Sequence, residues 1–72
     1  MVTVEMRVRG MTCDHCVEAV TGEIGALPGV RSVRVDLVSG GDSIVTVMAE
    51  PMPDEDACAT AVDAAGYLLV RS

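Results

Sequence analysis

The chain has 72 residues, half of them hydrophobic, with a formal net charge of −6 and one aromatic residue, Tyr67. That length is one domain, 1–72, near the lower limit at which an aliphatic core supports a fold unaided. The negative surplus repels phosphate and anionic lipid headgroups, and bases find no aromatic platform, so nucleic acid and membrane surfaces are excluded as partners in favour of a basic patch on a protein.

Residues 2–9 alternate strictly, with Val2, Val4, Met6 and Val8 on one face and Thr3, Glu5, Arg7 and Arg9 on the other. This is the pattern of a half-buried strand. Gly10 ends it. From about Asp14 to Ala26, the apolar residues Val17, Val20, Ile24 and Leu27 recur at three- and four-residue spacing, which predicts an amphipathic helix. Gly22 and Gly25 each weaken that helix by up to about 1 kcal/mol, so it must rely on packing. "LPGV" at 27–30 stops it.

Residues 31–37 alternate again, with Val33, Val35 and Leu37 inward, and "SIVTVMA" at 43–49 is rich in β-branched residues. With "SGGD" as turn chemistry between them, the two segments predict a hairpin. Pattern alone does not decide whether Ile44 or Val45 faces inward. "EPMPDED" breaks the chain before a second helix, with Asp54 as its N-cap and further acids in its first turn. Cys58, Ala61, Val62 and Ala65 form the apolar stripe of this helix, Gly66 ends it, and "YLLV" at 67–70 is a short last strand.

Strand, helix, strand, strand, helix, strand is the order of a ferredoxin-like split βαβ unit. The expected fold class is therefore α+β: a βαββαβ sandwich, a four-stranded antiparallel sheet with both helices on one face. The expected core contains Val4, Met6, Val8, Val20, Ile24, Val33, Val35 and Val62. Glu5, Arg7 and Arg34 fall on the open face.

Three cysteines is an odd number and too few for a disulfide scaffold of this size. The amino terminus "MVTVEMRVRG" has no apolar leader core, and no stretch approaches the roughly 18 apolar residues of a membrane span. The expectation is a cytoplasmic protein with free thiols and no membrane insertion.

Cys13 and Cys16 form a C-x-x-C at the junction of the first strand and the first helix. A helix N-terminus lowers a thiol pKa through its unpaired N–H groups and dipole, and one turn of separation lets both sulfurs face one point. Redox and metal chemistry both use this geometry. A thiol–disulfide oxidoreductase would need a different second half: here a hairpin and a helix follow, and Pro51 and Pro53 precede a helix instead of a strand. Structural zinc requires four N or S ligands, and beyond the pair the chain offers only His15 and the core-facing Cys58. A soft d¹⁰ ion such as Cu(I) is satisfied by two thiolates. Such an open site also admits an incoming thiolate from a partner, as a carrier requires.

"GMTCDHC" after the first strand, "PGV" after the first helix, a hairpin, and "AAGY" at the end of the second helix resemble the heavy-metal-associated domain over nearly the whole chain. That family includes cytosolic copper chaperones and the N-terminal modules of copper-transporting P-type ATPases. The resemblance implies a non-enzymatic Cu(I) carrier with Cys13 and Cys16 as ligands. It also implies Met11 packing under the metal loop and Tyr67 beside the metal. The implied partners are a copper-transporting ATPase and a copper-responsive repressor. The metal-free protein is expected to be a monomer, with a metal-bridged dimer open to it.

Each of these residues also has a plainer reading. Met11 anchors the loop in the core more readily than it ligates. Cys58 is a core residue. His15 points to solvent, the alternatives being adjustment of the thiols by its charge or service as a third ligand in a dimer. Asp14 and Glu18 stand where the family commonly keeps basic residues. An ATPase module is the alternative to a free chaperone, although a start just before the first strand and an end just after the last favour the latter. Zinc, cadmium and mercury are the alternative cargoes. Thr12 lacks the charge that zinc-pump modules often place before the first cysteine, and mercury carriers are typically exported.

Overall fold

The computed structural model describes residues 2–70. Strand β1 spans Val2–Arg9, helix α1 Asp14–Gly25, β2 Val30–Asp36, β3 Asp42–Ala49, helix α2 Glu55–Ala64 and β4 Leu68–Val70. The four strands lie in the order β2-β3-β1-β4, and every pairing is antiparallel. The expected βαββαβ order and four-stranded sheet are both present. Tyr67 lies just outside β4 rather than within it.

The period-2 pattern of β1 and β3 determines which face is covered. Ser43, Val45, Val47 and Ala49 are buried, while the residues between them are half-buried or exposed. Val45 therefore faces inward, and Ile44 does not. Val8 pairs with Ser43 and Met6 with Val45, so the even-numbered residues of β1 share that covered face. Ser43 is the buried polar residue of the face. Its hydroxyl accepts from the Val38 N–H at 2.9 Å and reaches the Val38 carbonyl at 3.4 Å, tying down the hairpin turn.

α1 buries Cys16, Val20 and Ile24, and α2 buries Cys58, Ala61 and Val62. α1 packs on β2, α2 on β4, and the helices touch each other. Asp54 caps α2 as expected, its carboxylate accepting from the Ala57 N–H at 2.7 Å. Gly29 is required by a close approach: its φ is +88°, and a Cβ there would run into the Pro51 carbonyl. The Gly29 carbonyl also accepts from the Glu50 N–H at 2.8 Å.

The core is narrower than the alternation predicts. Val2, Val4 and Leu37 are exposed, and Met6, Val33 and Val35 are half-buried. β2 is an edge strand of the sheet, and for β1 the cause lies in its other neighbour. β4 pairs only with Arg7, Val8 and Arg9, so the first half of β1 has no neighbour there among the described residues. No helix is long and apolar enough to cross a membrane among the described residues.

Candidate metal centre

The C-terminal end of β1 delivers the chain into the C-x-x-C loop. Gly10 turns it with a φ of +101°, a conformation L side chains avoid, and a Cβ there would lie 3.5 Å from the Tyr67 ring. Met11 is fully buried in the core. Cys13 is the N-cap of α1 in extended conformation, and its side chain makes no capping hydrogen bond. Its carbonyl begins the helix, accepting from Cys16 N–H at 3.0 Å and Val17 N–H at 3.3 Å. The Cys13 sulfur is thereby left free of any backbone duty.

Cys16 lies one turn on, and the two sulfurs are 3.7 Å apart. That exceeds the disulfide bond length of about 2.05 Å, and both thiols are free. At a zinc–sulfur bond length of about 2.3 Å, this separation would give an angle near tetrahedral. Cys13 is the exposed member of the pair and precedes the helix.

The two sulfurs have different surroundings. Cys16 is 7% exposed and is approached by several donors. Its pKa falls from the usual 9.0 to about 6, chiefly because the Thr12 backbone N–H donates to the sulfur. The Tyr67 hydroxyl, the Cys13 N–H and the Thr12 hydroxyl (3.8 Å away) add to this effect, and burial opposes it. Tyr67 is pushed the other way, its ionisation disfavoured first by the hydrogen bond to Cys16, then by burial and by the charge of the two thiols. The Tyr67 N–H bonds to the Val62 carbonyl at 3.1 Å, which holds the residue at the end of α2.

The structure thus brings Cys13, Cys16 and Tyr67 together and buries Met11 in the core. His15 is exposed, and among the described residues no three His, Cys, Asp or Glu side chains converge. Cys58 is 2% exposed in the core. Thr12 was not expected to take part. The signal that could have found it is its place four residues before Cys16, within reach of a sulfur in the first helical turn.

A family model described as the heavy-metal-associated domain matches residues 5–67. The chain is 49% identical over 35 residues to the copper chaperone CopZ of Bacillus subtilis (strain 168), a stretch covering 49% of this chain and 51% of that one. It is 38% identical over 66 residues to copper-transporting ATPase 2 of Rhizobium meliloti (strain 1021), covering 92% of this chain and 8% of the ATPase. The matched stretches thus span about half of the first relative and a small part of the second. A solved structure described as the CopZ metallochaperone superposes with a TM-score of 0.82 at 28% identity, covering 96% of this chain and all of that one (100%).

Proposed function

We propose that this chain, which belongs to the heavy-metal-associated domain family, is a cytoplasmic Cu(I) carrier of one domain, 1–72. Cys13 and Cys16 hold the ion as thiolates and surrender it by ligand exchange to a copper-transporting P-type ATPase. Two soft donors match Cu(I), which prefers sulfur and accepts low coordination. The observation that carries this reading is the pair of sulfurs 3.7 Å apart with one of them exposed.

The asymmetry of the pair suits transfer. Cys16 is held by backbone and side-chain donors and remains in place through a reaction. Cys13 is open to solvent, where an incoming thiolate can attack the metal, pass through a three-coordinate intermediate and release the Cys13 sulfur. The ion is never free. Cys58 lies in the core and takes no part in this exchange.

The likeness to the Rhizobium meliloti ATPase over 92% of this chain favours a second reading, in which the chain is the metal-binding module of such an ATPase. Detection of the native polypeptide in its source cells separates the two: a band near 7.5 kDa fits the free carrier. A band several times larger fits the module.

The carrier function is tested by mixing the Cu(I)-loaded protein with a metal-free ATPase module and following the metal after chromatographic separation. Transfer within seconds, undiminished by a chelator that captures free Cu(I), is the expected result. Transfer that the chelator intercepts means that the ion passes through solution, and the ligand-exchange reading then fails.

A further inference from the structure

The two layers of the molecule carry very different charge. The helices hold Asp14, Glu18, Glu23, Glu55, Asp56 and Asp63, and neither contains a Lys or Arg. The open face of the sheet is balanced, with Arg7, Arg9 and Arg34 against Glu5, Asp36 and Asp42. Arg9 and Asp42 pair with each other at 3.0 Å. The other four side chains are exposed and find no ion-pair partner among the described residues.

Strand register sets those four in a checkerboard. Arg7 and Asp36 flank Ile44 in one row across the sheet, and Glu5 and Arg34 flank Thr46 in the next. Such a pattern is complementary to itself. Turned about a twofold axis running along β3, a second copy lays its β1 over β2 of the first. Arg34 then faces the second copy's Glu5, and Asp36 faces its Arg7. The same axis sets half-buried Ile44 on Ile44 and Met48, 38% exposed, on Met48, so apolar contact fills the middle and charge the flanks. Asp42 meets its own copy with its charge already paired by Arg9. A twofold axis across the strands also matches opposite charges, but it sets Ile44 against Thr46 and Met48 against Asp42. The helix layers cannot associate in this way, because each offers acids to acids.

We propose that the open sheet face is a self-association surface on which a second copy of this chain docks, sheet to sheet, without metal. This departs from the metal-free monomer expected from the sequence, and it differs from a metal-bridged dimer in leaving both dithiols unused. Because the axis runs along the strands, the two C-x-x-C loops lie at the same end of the pair. Facing sheets stand about 10 Å apart, a gap that Arg and Glu side chains reach across. The acidic helix layers lie on the outer sides, separated by more than the Debye length of about 8 Å at physiological ionic strength. The pair is weak, since exposed ion pairs each contribute little.

The test uses metal-free Cys13→Ser/Cys16→Ser protein under reducing conditions, which removes bridging through the dithiol and makes the outcome independent of the metal reading. In sedimentation equilibrium at physiological ionic strength, its mass should rise from 7.5 kDa toward twice that value as concentration approaches about 1 mM. In reduced wild-type protein, dilution should move the amide resonances of Arg7, Arg34, Ile44 and Thr46 and leave those of α1 and α2 in place. Arg34→Glu sets an acid against the second copy's Glu5 and should weaken association at least tenfold. Adding Glu5→Arg should restore it. A mass that stays at 7.5 kDa throughout overturns the proposal. So do dilution shifts centred on residues 11–18, or association that Arg34→Glu leaves intact. Rescue of Arg34→Glu by Asp36→Arg in place of Glu5→Arg, or by neither, overturns it as well.

Discussion

The sulfurs of Cys13 and Cys16 lie 3.7 Å apart across the first turn of α1, one exposed and the other buried. The exposed sulfur belongs to an extended N-cap residue, and the buried one to a helix face shared with Val20 and Ile24. One side of the pair is therefore open to solvent and the other is enclosed by packing.

Competition titration with a chromophoric Cu(I) ligand should find one high-affinity equivalent in the reduced protein. Cys13→Ser or Cys16→Ser should abolish it, since a hydroxyl stays protonated and is a hard donor. Cys58→Ala should leave that equivalent intact and cost roughly 1 kcal/mol of stability, the scale for a small buried deletion. Full tight binding in Cys16→Ser would mean that the metal sits elsewhere.

In the metal-free protein, the thiolate absorbance near 240 nm should rise in a first step centred at about pH 6, assigned to Cys16. Tyr67→Phe removes one donor to that sulfur and should move the step to higher pH. A first step unchanged by Tyr67→Phe would show that the phenol does not donate there.

The same shift has a consequence for stability. The Cys16 pKa is depressed on folding, so its contribution is complete above the unfolded value of 9.0 and is lost as pH falls through about 6. The melting temperature of the metal-free wild type, less that of Cys16→Ser, should therefore shrink steadily between those two values. A difference that grows on acidification would contradict the direction of the shift.

Gly10→Ala tests the turn beneath the site. Alanine at a φ of +101° is strained, while its Cβ would make only ordinary contact with the Tyr67 ring at 3.5 Å. Urea denaturation should show a loss of about 1–2 kcal/mol. Asp54→Ala, which removes the α2 cap, should cost about 1 kcal/mol by the same measurement.

An oxidoreductase would catalyse insulin disulfide reduction well above the rate of a free dithiol. The carrier reading predicts no such acceleration. Turnover comparable to a dedicated disulfide reductase would revive the redox alternative.

Local spacing was enough to determine the order of elements, the Asp54 cap and the C-x-x-C at the start of α1. Alternation and three-to-four periodicity are properties of the chain itself. The same spacing made the paired sulfurs of Cys13 and Cys16 legible, along with the solvent position of His15 and the core position of Cys58. Only the tertiary structure decided how far the core extends along β1. Val4 has the same alternating pattern as Val8, yet it is exposed while Val8 is buried, because β4 pairs with only three residues of its neighbour. Pairing length is a long-range property that no window of sequence contains. The choice of Val45 over Ile44 likewise depended on its register with Met6, thirty-nine residues away in the chain. The unequal environments of the two cysteines also required the fold, since the Tyr67 hydroxyl reaches Cys16 only when the end of α2 is packed beside the end of β1.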